Sequence, residues 1–528
     1  MKRLMRSNLC HLLEQAAHMR GSAAALTYKN TTCGYDELFL RVCSFASGLA
    51  AIGLARDERV AILLEKRIET VVAIFGTAAA GGVFVPINTL LRPQQVAYIL
   101  ADCNVSVLVT TPERLAELAK HPDACAGVAH VILVGAEPAE ANEAVANSFA
   151  THDWASLPAS DVAPLPATID MDMAAILYTS GSTGKPKGVV LSHRNLIVGG
   201  ESVSQYLENT SSDTILSVLP LSFDAGLSQL TTAFNVGAHV VLVNYLLPAD
   251  VVRLCTRHSI TGITGVPPLW IQLADQTWPA ETAARLRYFA NTGGRMPKAT
   301  LDKLRQRFPK ALPYLMYGLT EAFRSTYLDP AQIDRRPDSI GKAIPNAEIL
   351  VLRPDGSRCA PGEEGELVHR GPLVALGYWN DPKRTAERFR PVFAQEAGWR
   401  APELAVFSGD TVVADEEGFL FFVGRRDEMI KTSGYRVSPT EVEEVAYGTG
   451  LVRDAVALGV EDPTLGQRIV LIASPAGDLP LDQTGLLSAI RQQLPQYMVP
   501  ASVFEMSAIP TTPNGKFDRV SLRARLSS

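Results

Sequence analysis

The chain has 528 residues, more than one ordinary hydrophobic core contains, so two or more domains are expected. Hydrophobic residues make up 47% and charged residues 20% of the chain, which is typical of a soluble globular protein. The net charge of −6 argues against nucleic-acid binders and membrane-surface proteins, because both classes need basic patches.

The cysteines and the apolar runs bear on the cellular compartment in which the protein is expected. Seven cysteines with no Cys-x-x-Cys spacing argue against a disulfide or zinc framework and favour reduced thiols. Glu14 interrupts the first apolar stretch, which argues against a signal peptide, and no apolar run reaches the roughly 18 residues of a membrane span. We therefore expect a cytoplasmic protein.

Strand and helix patterns alternate through the first part of the chain. Apolar runs predict strands at 60–64, 83–86, 105–110, 131–134 and 174–178, with a helix at 68–80. Such alternation predicts parallel sheets flanked by helices. The segment 138–166, rich in Ala, Glu and Pro, is predicted to be a surface connection.

Beyond Gly424 the pattern changes to that of a smaller unit. Strands are predicted at 455–460 and 468–473 and a helix at 486–494. We therefore place a domain boundary near Arg426, with an N-terminal domain at 1–425 and a C-terminal domain at 426–528.

The stretch from Tyr178 to Gly188 gathers hydroxyls, glycines and lysines between two apolar runs. Glycine N–H groups can approach an anion closely, hydroxyls add donors, and Lys187 adds charge, so the stretch is typical of a phosphate-binding loop. A flexible surface loop is the alternative. It is neither a Walker loop nor a Gly-x-Ser-x-Gly element. Its candidate nucleotide-binding residues are Thr179, Ser180, Gly181, Ser182, Thr183 and Gly184.

Six further motifs follow this loop in a fixed order. They are Phe223-Asp224-Ala225-Gly226, Tyr317-Gly318-Leu319-Thr320-Glu321, Gly365-Glu366-Leu367, Ser408-Gly409-Asp410, Gly424-Arg425-Arg426-Asp427 and Asn514-Gly515-Lys516-Phe517-Asp518-Arg519. In this order they resemble the AMP-forming adenylating superfamily, which includes acyl-CoA ligases, amino-acid adenylation enzymes and luciferases. The resemblance extends from the strand near Val60 to Arg519.

The resemblance implies both a fold and a reaction. The fold is α/β, with a large N-terminal domain of flanked sheets and a distorted barrel, and a small, mobile α+β C-terminal domain. The reaction uses ATP and Mg²⁺ to convert a small carboxylic or amino acid into an acyl-adenylate, releasing pyrophosphate. The acyl group then passes to a phosphopantetheine thiol, either of CoA or of a stand-alone acyl carrier protein.

By the same resemblance, the nucleotide is held at several points. Glu321 is the expected magnesium ligand, Thr320 lies beside the α-phosphate and Asp410 accepts both ribose hydroxyls. The alternatives are an ordinary helix start capped by Thr320, and a turn-forming Asp410. The adenine is expected between Tyr317 and the Gly293-Gly294 pair, with Arg425 also contacting the nucleotide.

The C-terminal motifs are expected to act in turn. Lys516 would reach the reacting carboxylate and the α-phosphate when the site closes, against the alternative of an ordinary surface lysine. Asp427 matches a hinge about which the small domain rotates between half-reactions. A loop containing Lys431 and Gly434 would then face the active site and admit the pantetheine arm.

Fewer residues bear on the substrate. In family members that activate amino acids, an aspartate at the place of Asp224 pairs with the substrate ammonium; the alternative is an aspartate hydrogen-bonded to backbone. Arg324 could pair with a second carboxylate or with Asp224 itself. We expect a small polar amino acid, with β-amino and amino-dicarboxylic acids as candidates. The predicted pocket residues are Phe223, Asp224, Ser228, Met316, Arg324 and Ser325.

Two subgroups of the superfamily are most similar at 429–441 and 317–327: exosortase A-associated acyl-CoA ligases and stand-alone β-amino-acid adenylation enzymes. Arg295 departs from the glutamate or small residue that many relatives carry after the glycine pair. Two alternatives to amino-acid activation remain: a CoA ligase for a short or medium-chain acid without an amine, and a non-catalytic binding protein that keeps the fold. The retained Lys187, Glu321, Asp410 and Lys516 argue against the second alternative.

Overall fold

A computed structural model gives the fold of the chain. It describes residues 6–121, 125–135, 149–157, 167–179, 186–392, 402–425, 428–432, 435–462, 465–477, 479–494, 496–513 and 515–527.

The helices of these residues are α1 (Cys10–Arg20), α2 (Tyr35–Ala51), α3 (Ile68–Ala79), α4 (Pro93–Asp102), α5 (Pro112–Ala119), α6 (His193–Tyr206), α7 (Asp224–Val236), α8 (Pro248–Arg257), α9 (Pro267–Ala274), α10 (Ala280–Arg285), α11 (Lys298–Arg307), α12 (Pro382–Arg388), α13 (Pro439–Gly448), α14 (Gln483–Gln493) and α15 (Arg519–Ser527). Short 3₁₀ helices lie at Trp154–Ser156, Thr320–Ala322, Pro330–Gln332 and Gln496–Met498.

The strands are β1 (Ala24–Tyr28), β2 (Thr31–Gly34), β3 (Arg59–Ile62), β4 (Val83–Pro86), β5 (Val105–Thr110), β6 (His130–Leu133), β7 (Ala150–Asp153), β8 (Met173–Thr179), β9 (Lys187–Ser192), β10 (Thr214–Ser217), β11 (His239–Leu242), β12 (Gly262–Gly265), β13 (Tyr288–Asn291), β14 (Leu312–Tyr317), β15 (Thr326–Leu328), β16 (Ser339–Ala343), β17 (Glu348–Leu352), β18 (Glu364–Arg370), β19 (Gly377–Tyr378), β20 (Phe389–Val392), β21 (Glu403–Ala414), β22 (Leu420–Arg425), β23 (Ile430–Thr432), β24 (Tyr435–Val437), β25 (Val452–Asp462), β26 (Gly466–Pro475) and β27 (Ser502–Glu505).

Two large sheets form the N-terminal body. The first sheet has 14 strands. In its parallel part, β1 and β10–β14 pair in parallel. Beyond β14 an antiparallel part continues in the order β15, β16, β22, β21, β18 and β17. The second has eight strands, in the order β19-β9-β8-β4-β3-β5-β6-β7. The connection from β14 to β15 marks the change from parallel to antiparallel pairing, and it contains the Thr320-Glu321 motif.

Helices between the two sheets join them into one core. Eleven of the 12 residues of α3 are buried, and α7 is buried from Asp224 to Phe234. A helix buried on nearly every face must be covered on both sides. Buried residues of α3 and α7 belong to one hydrophobic cluster with residues of both sheets, so the two sheets share a core.

The C-terminal residues build a separate five-stranded sheet. The long antiparallel pair β25 and β26 forms its centre, β23 and β24 extend one edge, and β27 pairs in parallel with β26. Apolar residues on one face pack with α13 and α14, and those on the other face pack with α15. The predicted boundary at Arg426 and Asp427 lies outside the described residues and stays a prediction.

The predicted strands and helices are present; the strands at 83–86 and 105–110 have the predicted ends, and the other elements are shifted at one or both ends by one to three residues. One assignment is wrong: within the supposed connection at 138–166, residues Ala150–Asp153 form an edge strand parallel to β6. Its sequence, Ala-Thr-His-Asp, has no apolar face because the strand is exposed or half-buried throughout.

The expected distorted barrel also differs from the fold. Among the described strands, the 14-stranded sheet stays open, with β17 at one edge and β2 at the other, and no closed barrel forms. Among the described residues, no helix combines the length and the apolar composition needed to cross a membrane.

Candidate active site

The glycine-rich loop begins and ends on a β-hairpin. Thr179, at the end of β8, is the cross-strand partner of Lys187, at the start of β9. The hydroxyl oxygen of Thr179 is buried and has no hydrogen-bond partner among the described residues. A buried hydroxyl in this state lacks the contact that a ligand oxygen could supply. Ser180, Gly181, Ser182, Thr183 and Gly184 lie outside the described residues.

Lys187 forms a tight polar cluster with two residues distant in sequence. Its Nζ donates to Glu321 Oε1 at 2.7 Å and to the Tyr378 hydroxyl at 2.9 Å, and that hydroxyl donates to the same Oε1 at 2.6 Å. Burial alone would raise the pKa of Glu321, but the charges of Lys187 and Arg388 and the hydrogen bonds outweigh burial and lower it to about 2. Glu321 is therefore a carboxylate at neutral pH.

The same cluster fits a magnesium ion bound together with phosphate. Both hydrogen bonds to Glu321 use Oε1, and within the described residues none uses Oε2. No group of three or more His, Cys, Asp or Glu side chains among these residues could hold a metal by itself. Mg²⁺ is usually held by one or two carboxylates together with substrate phosphates, so one ionised carboxylate hydrogen-bonded to Lys187, at the end of the predicted phosphate-binding loop, is a suitable donor set.

Asp410 and Tyr317 lie together although the sequence separates them by 93 residues. The Tyr317 hydroxyl donates to Asp410 Oδ2, and Asp410 is the cross-strand partner of Arg425. Asp410 is only 4% exposed, so its carboxylate is largely shielded from solvent. The hydrogen bond holds the aromatic ring of Tyr317 next to the carboxylate of Asp410. The predicted adenine and ribose contacts need these two groups to be neighbours.

Gly293 lies where the C-terminal unit approaches the N-terminal body. It has φ +77°, and a Cβ atom there would lie 3.1 Å from Lys516 Cε and 3.2 Å from Val266. A side chain at this position would therefore be strained and would crowd the lysine. The carbonyl of the adjacent Gly294 accepts a hydrogen bond of 2.8 Å from Asn291.

Lys516 lies in a turn of the C-terminal unit that docks onto the N-terminal body. Its Nζ is 5.6 Å from the centre of the Phe223 ring, and Asn88 donates to the carbonyl of Pro513 at 2.9 Å. The charges of Arg324 and Lys516 both favour the ionised form of Asp224. Lys516 thus lies next to the start of α7, where the predicted acid pocket begins.

Comparison with known proteins assigns the family. The model of the AMP-binding enzyme family matches residues 13–379, and that of its C-terminal domain matches residues 441–516. The chain belongs to the AMP-binding enzyme family. It is 31% identical to a feruloyl-CoA synthase of Amycolatopsis over 96% of this chain and 97% of that protein.

Two other AMP-binding proteins show how widely the fold is used. The chain is 30% identical to an L-proline--[L-prolyl-carrier protein] ligase of Pseudomonas fluorescens, over 94% of this chain and 95% of the relative. The crystal structure of the anthranilate CoA ligase AuaEII with anthranoyl-AMP superposes with a TM-score of 0.88 at 22% identity, covering 99% of this chain and 98% of that one. This superposition supports the α/β fold with a large and a small domain.

In this AMP-binding protein, the Thr320-Glu321 motif is not an ordinary helix start. Thr320–Ala322 is a single 3₁₀ turn, and no side chain caps it. Phe323 follows with φ +54°, a conformation that is unusual for a bulky residue. Gly199 makes room for the Phe323 ring, because a Cβ there would lie 2.4 Å from a ring carbon.

The predicted pocket contains a buried ion pair. Arg324 Nη1 is 3.2 Å from Asp224 Oδ2, and each side chain is 3% exposed. Of the two partners that the sequence leaves open for Arg324, the protein itself supplies Asp224. Burial raises the pKa of Asp224, and the neighbouring Arg324 and Lys516 charges oppose that rise.

A narrow cavity lies behind this pair. Three of the predicted pocket residues line it, namely Ser228, Met316 and Arg324, together with Gln229, Thr232 and Tyr288. Phe223 lies instead beside Lys516. The buried Ser325 hydroxyl lies 3.0 Å from His369 Nδ1 and does not line the cavity.

The last residue of the Phe223-Asp224-Ala225-Gly226 motif must be a glycine for steric reasons. A Cβ at Gly226 would lie 1.9 Å from the Pro220 carbonyl oxygen, so only glycine lets the first turn of α7 pack on the preceding loop. This close approach positions Asp224 at the helix start.

Three buried or half-buried polar residues have no motif that could reveal them. Tyr378 follows a glycine in a two-residue strand, and Arg388 ends a short helix, yet both surround Glu321. Lys66 is buried and donates to the carbonyls of Ser217, Val218 and Leu219 at 2.8–3.1 Å. From the sequence alone, Arg388 and Lys66 would both be assigned to the surface.

The remaining predicted residues are only partly described. Asp427 and Gly434 lie outside the described residues, while Lys431 belongs to β23. Arg295, which departs from the family pattern, bonds to Asp338 at 2.6 Å and lies 3.6 Å from Glu444 of α13. It therefore links the two units.

Proposed function

We propose that this protein uses ATP to convert a small amino acid into its acyl-adenylate, releasing pyrophosphate, and then transfers the acyl group to a phosphopantetheine thiol. The observation that carries the proposal is the convergence at Asp224. This buried carboxylate at the start of α7 is influenced by Glu321 and Arg324 of one segment and by Lys516 near the C-terminus, which are two separate parts of the chain.

The chemistry requires positive charge, because a carboxylate must approach the α-phosphate of a polyanion. Lys187 and the glycine-rich loop bind the phosphates, and Thr320 and Lys516 contact the α-phosphate and the reacting carboxylate. Glu321 holds Mg²⁺, which neutralises phosphate charge when bound. Positioning and electrostatics supply most of the catalysis in such a displacement.

The nucleoside binds on the other side of the same region. Asp410 accepts the ribose hydroxyls, Tyr317 and the Gly293-Gly294 backbone contact the adenine, and Arg425 contacts the nucleotide. The hydrogen bond from Tyr317 to Asp410 supports this proposal, because it restricts both side chains before the nucleotide arrives.

The amine preference is supported by one unpaired atom. Asp224 Oδ1 is buried and accepts no hydrogen bond of ordinary geometry from the described residues, although the backbone N–H of Ala225 also favours the ionised carboxylate. A substrate ammonium would satisfy it, whereas an acid without a donor would leave it unpaired at a cost of about 1–3 kcal/mol.

For the second half-reaction, rotation about Asp427 brings Lys431 and Gly434 to the site. The acceptor is a thiol of CoA or of a carrier protein, since relatives of nearly equal similarity are named for each. ATP and Mg²⁺ serve the first half-reaction only.

A second candidate is a CoA ligase for a short or medium-chain acid without an amine. The specific observation in its favour is the Arg324–Asp224 pair, because it already gives Asp224 a counter-charge.

Acid-dependent ATP–pyrophosphate exchange tests the proposal. Radiolabelled pyrophosphate should enter ATP only when a suitable amino acid is present, and Lys516→Ala should abolish that exchange. If simple acids support exchange and amino acids do not, the second candidate replaces the first. If no acid in a broad panel supports exchange, a non-catalytic protein with this fold is the remaining explanation.

A further inference from the structure

An ion pair joins the N-terminal body to the C-terminal unit. Arg295 Nε lies 3.6 Å from Glu444 Oε2, and Glu444 belongs to α13. The other oxygen of the same carboxylate, Oε1, accepts a hydrogen bond of 3.1 Å from the backbone N–H of Lys298. Both oxygens of Glu444 therefore contact groups of the N-terminal body.

The N-terminal body orients both groups that bind Glu444. Arg295 Nη2 donates to Asp338 Oδ1 at 2.6 Å, which fixes the direction of the guanidinium. Lys298 is the first residue of α11, whose N-cap residue is Pro297 and whose first turn contains no acidic residue. The N–H groups at a helix start favour a nearby carboxylate, and Glu444 supplies it from the other unit.

Within the C-terminal unit, α13 is tied to the segment that carries Lys516. Glu443, the neighbour of Glu444, accepts hydrogen bonds through Oε1 from Arg519 at 2.5 Å and from the backbone N–H of Ala457 at 2.8 Å. Arg519 follows Lys516 by three residues and also donates to the Ala457 carbonyl at 2.9 Å. The position of α13 and the position of Lys516 are therefore linked.

One short segment of the N-terminal body meets the C-terminal unit at two points. Lys516 Cε would lie 3.1 Å from a Cβ atom at Gly293, and Arg295 follows Gly293 by two residues. In the same arrangement Lys516 Nζ is 5.6 Å from the centre of the Phe223 ring, at the start of the predicted acid pocket. The ion pair with Glu444 thus forms in the orientation that brings Lys516 to this pocket.

We propose that Arg295 and Glu444 are positioning residues for adenylate formation. Their ion pair holds the C-terminal unit in the orientation that places Lys516 at the acid pocket, and it breaks when the unit rotates for thioester formation. This inference rests on the proposed function. The two side chains are 34% and 23% exposed, and a pair of this exposure is weak enough to break in every cycle.

Separate assays of the two half-reactions test the inference. Arg295→Gln and Glu444→Gln should each lower the maximal rate of acid-dependent ATP–pyrophosphate exchange about three- to tenfold, because less of the protein holds Lys516 in place. Transfer from a supplied adenylate to CoA, or to pantetheine where CoA does not react, should be unchanged or faster. The double variant should lose no more exchange than the more impaired single variant, because both residues act through one contact.

Arg305→Gln is the matched control for the loss of an exposed arginine pair. Arg305 also lies in α11, is 36% exposed and pairs with Asp334 inside the N-terminal body. It should keep the parental rates of both half-reactions. Parental exchange in both single variants, or an equal loss in the two half-reactions, would overturn the inference and leave acid activation intact. A parent protein that shows no exchange with any acid would instead refute the proposed function.

Discussion

Replacing Glu321 with glutamine tests the polar cluster at the centre of the site. The substitution keeps the shape of the side chain but removes its charge, so Lys187 loses its ionic partner and Mg²⁺ loses the proposed ligand. Both the acid stability of the protein and its metal requirement should change.

The pKa of Glu321 gives the magnitude. Its value in the fold is about 2, against an ordinary 4.5, and the side chain is only 8% exposed. At about 1.4 kcal/mol per pKa unit, the fold favours the ionised form by about 3 kcal/mol. Because the folded pKa is the lower one, this stabilisation is present above pH 4.5 and is lost as the pH falls towards 2. Between pH 5 and pH 3 we expect a loss of about 2 kcal/mol from this group.

Urea unfolding at the two pH values measures this difference. Between pH 5 and pH 3, the free energy of unfolding should fall less for Glu321→Gln than for the parent, and the difference should be about 2 kcal/mol. Glu363→Gln, which breaks the more exposed Arg353 pair, should show a smaller difference. In exchange assays, Glu321→Gln should lose at least about 100-fold in rate and need more Mg²⁺ for half-maximal activity. An unchanged metal requirement and the parental acid dependence together would refute the reasoning.

Three further substitutions address the acid pocket and the second half-reaction. Lys516→Ala should cripple adenylate formation but spare thioester formation from a supplied adenylate, because Lys516 belongs to the small unit and is proposed to act only in the first step; equal loss of both steps would contradict this. Asp224→Ala should raise KM selectively for amine-bearing acids, at a cost of about 2–5 kcal/mol, and an unchanged acid preference in exchange assays would rule out the amine contact. Lys66→Met leaves three carbonyls without their donor, so the free energy of unfolding should fall by at least about 2 kcal/mol. A Lys66→Met protein with parental stability would show that these three bonds contribute little.

The sequence predicts the parts of this fold that depend on local apolar pattern. The strands at Val83–Pro86 and Val105–Thr110 have the predicted ends, because buried parallel strands are continuous apolar runs bounded by turns. The edge strand Ala150–Asp153 has no such pattern and is missed. Apolar periodicity reports burial, and an exposed edge strand has little of it.

The candidate site divides in a similar way. The chain order of the motifs is sufficient to nominate Lys187, Glu321 and Asp410. It cannot show that Asp224 faces Arg324, since 100 residues separate them and either side chain could have had another partner. Contacts of this kind depend on how the sheets pack, and no local rule encodes them.

Residues that carry no motif are also beyond sequence reasoning. Tyr378 binds both Lys187 and Glu321, yet nothing near it in the sequence suggests a polar site. Arg388 influences Glu321 from the end of a seven-residue helix, where a surface arginine is the ordinary expectation.

The most direct test of the whole account is the binding of a nonhydrolysable acyl-AMP mimic, measured by calorimetry. We expect one mimic to bind per chain, in competition with ATP, and to bind much more weakly to Asp410→Ala. The mimic should be made from an acid that supports exchange. If this mimic fails to bind, or binds without displacing ATP, the result would contradict a single site for nucleotide and acid.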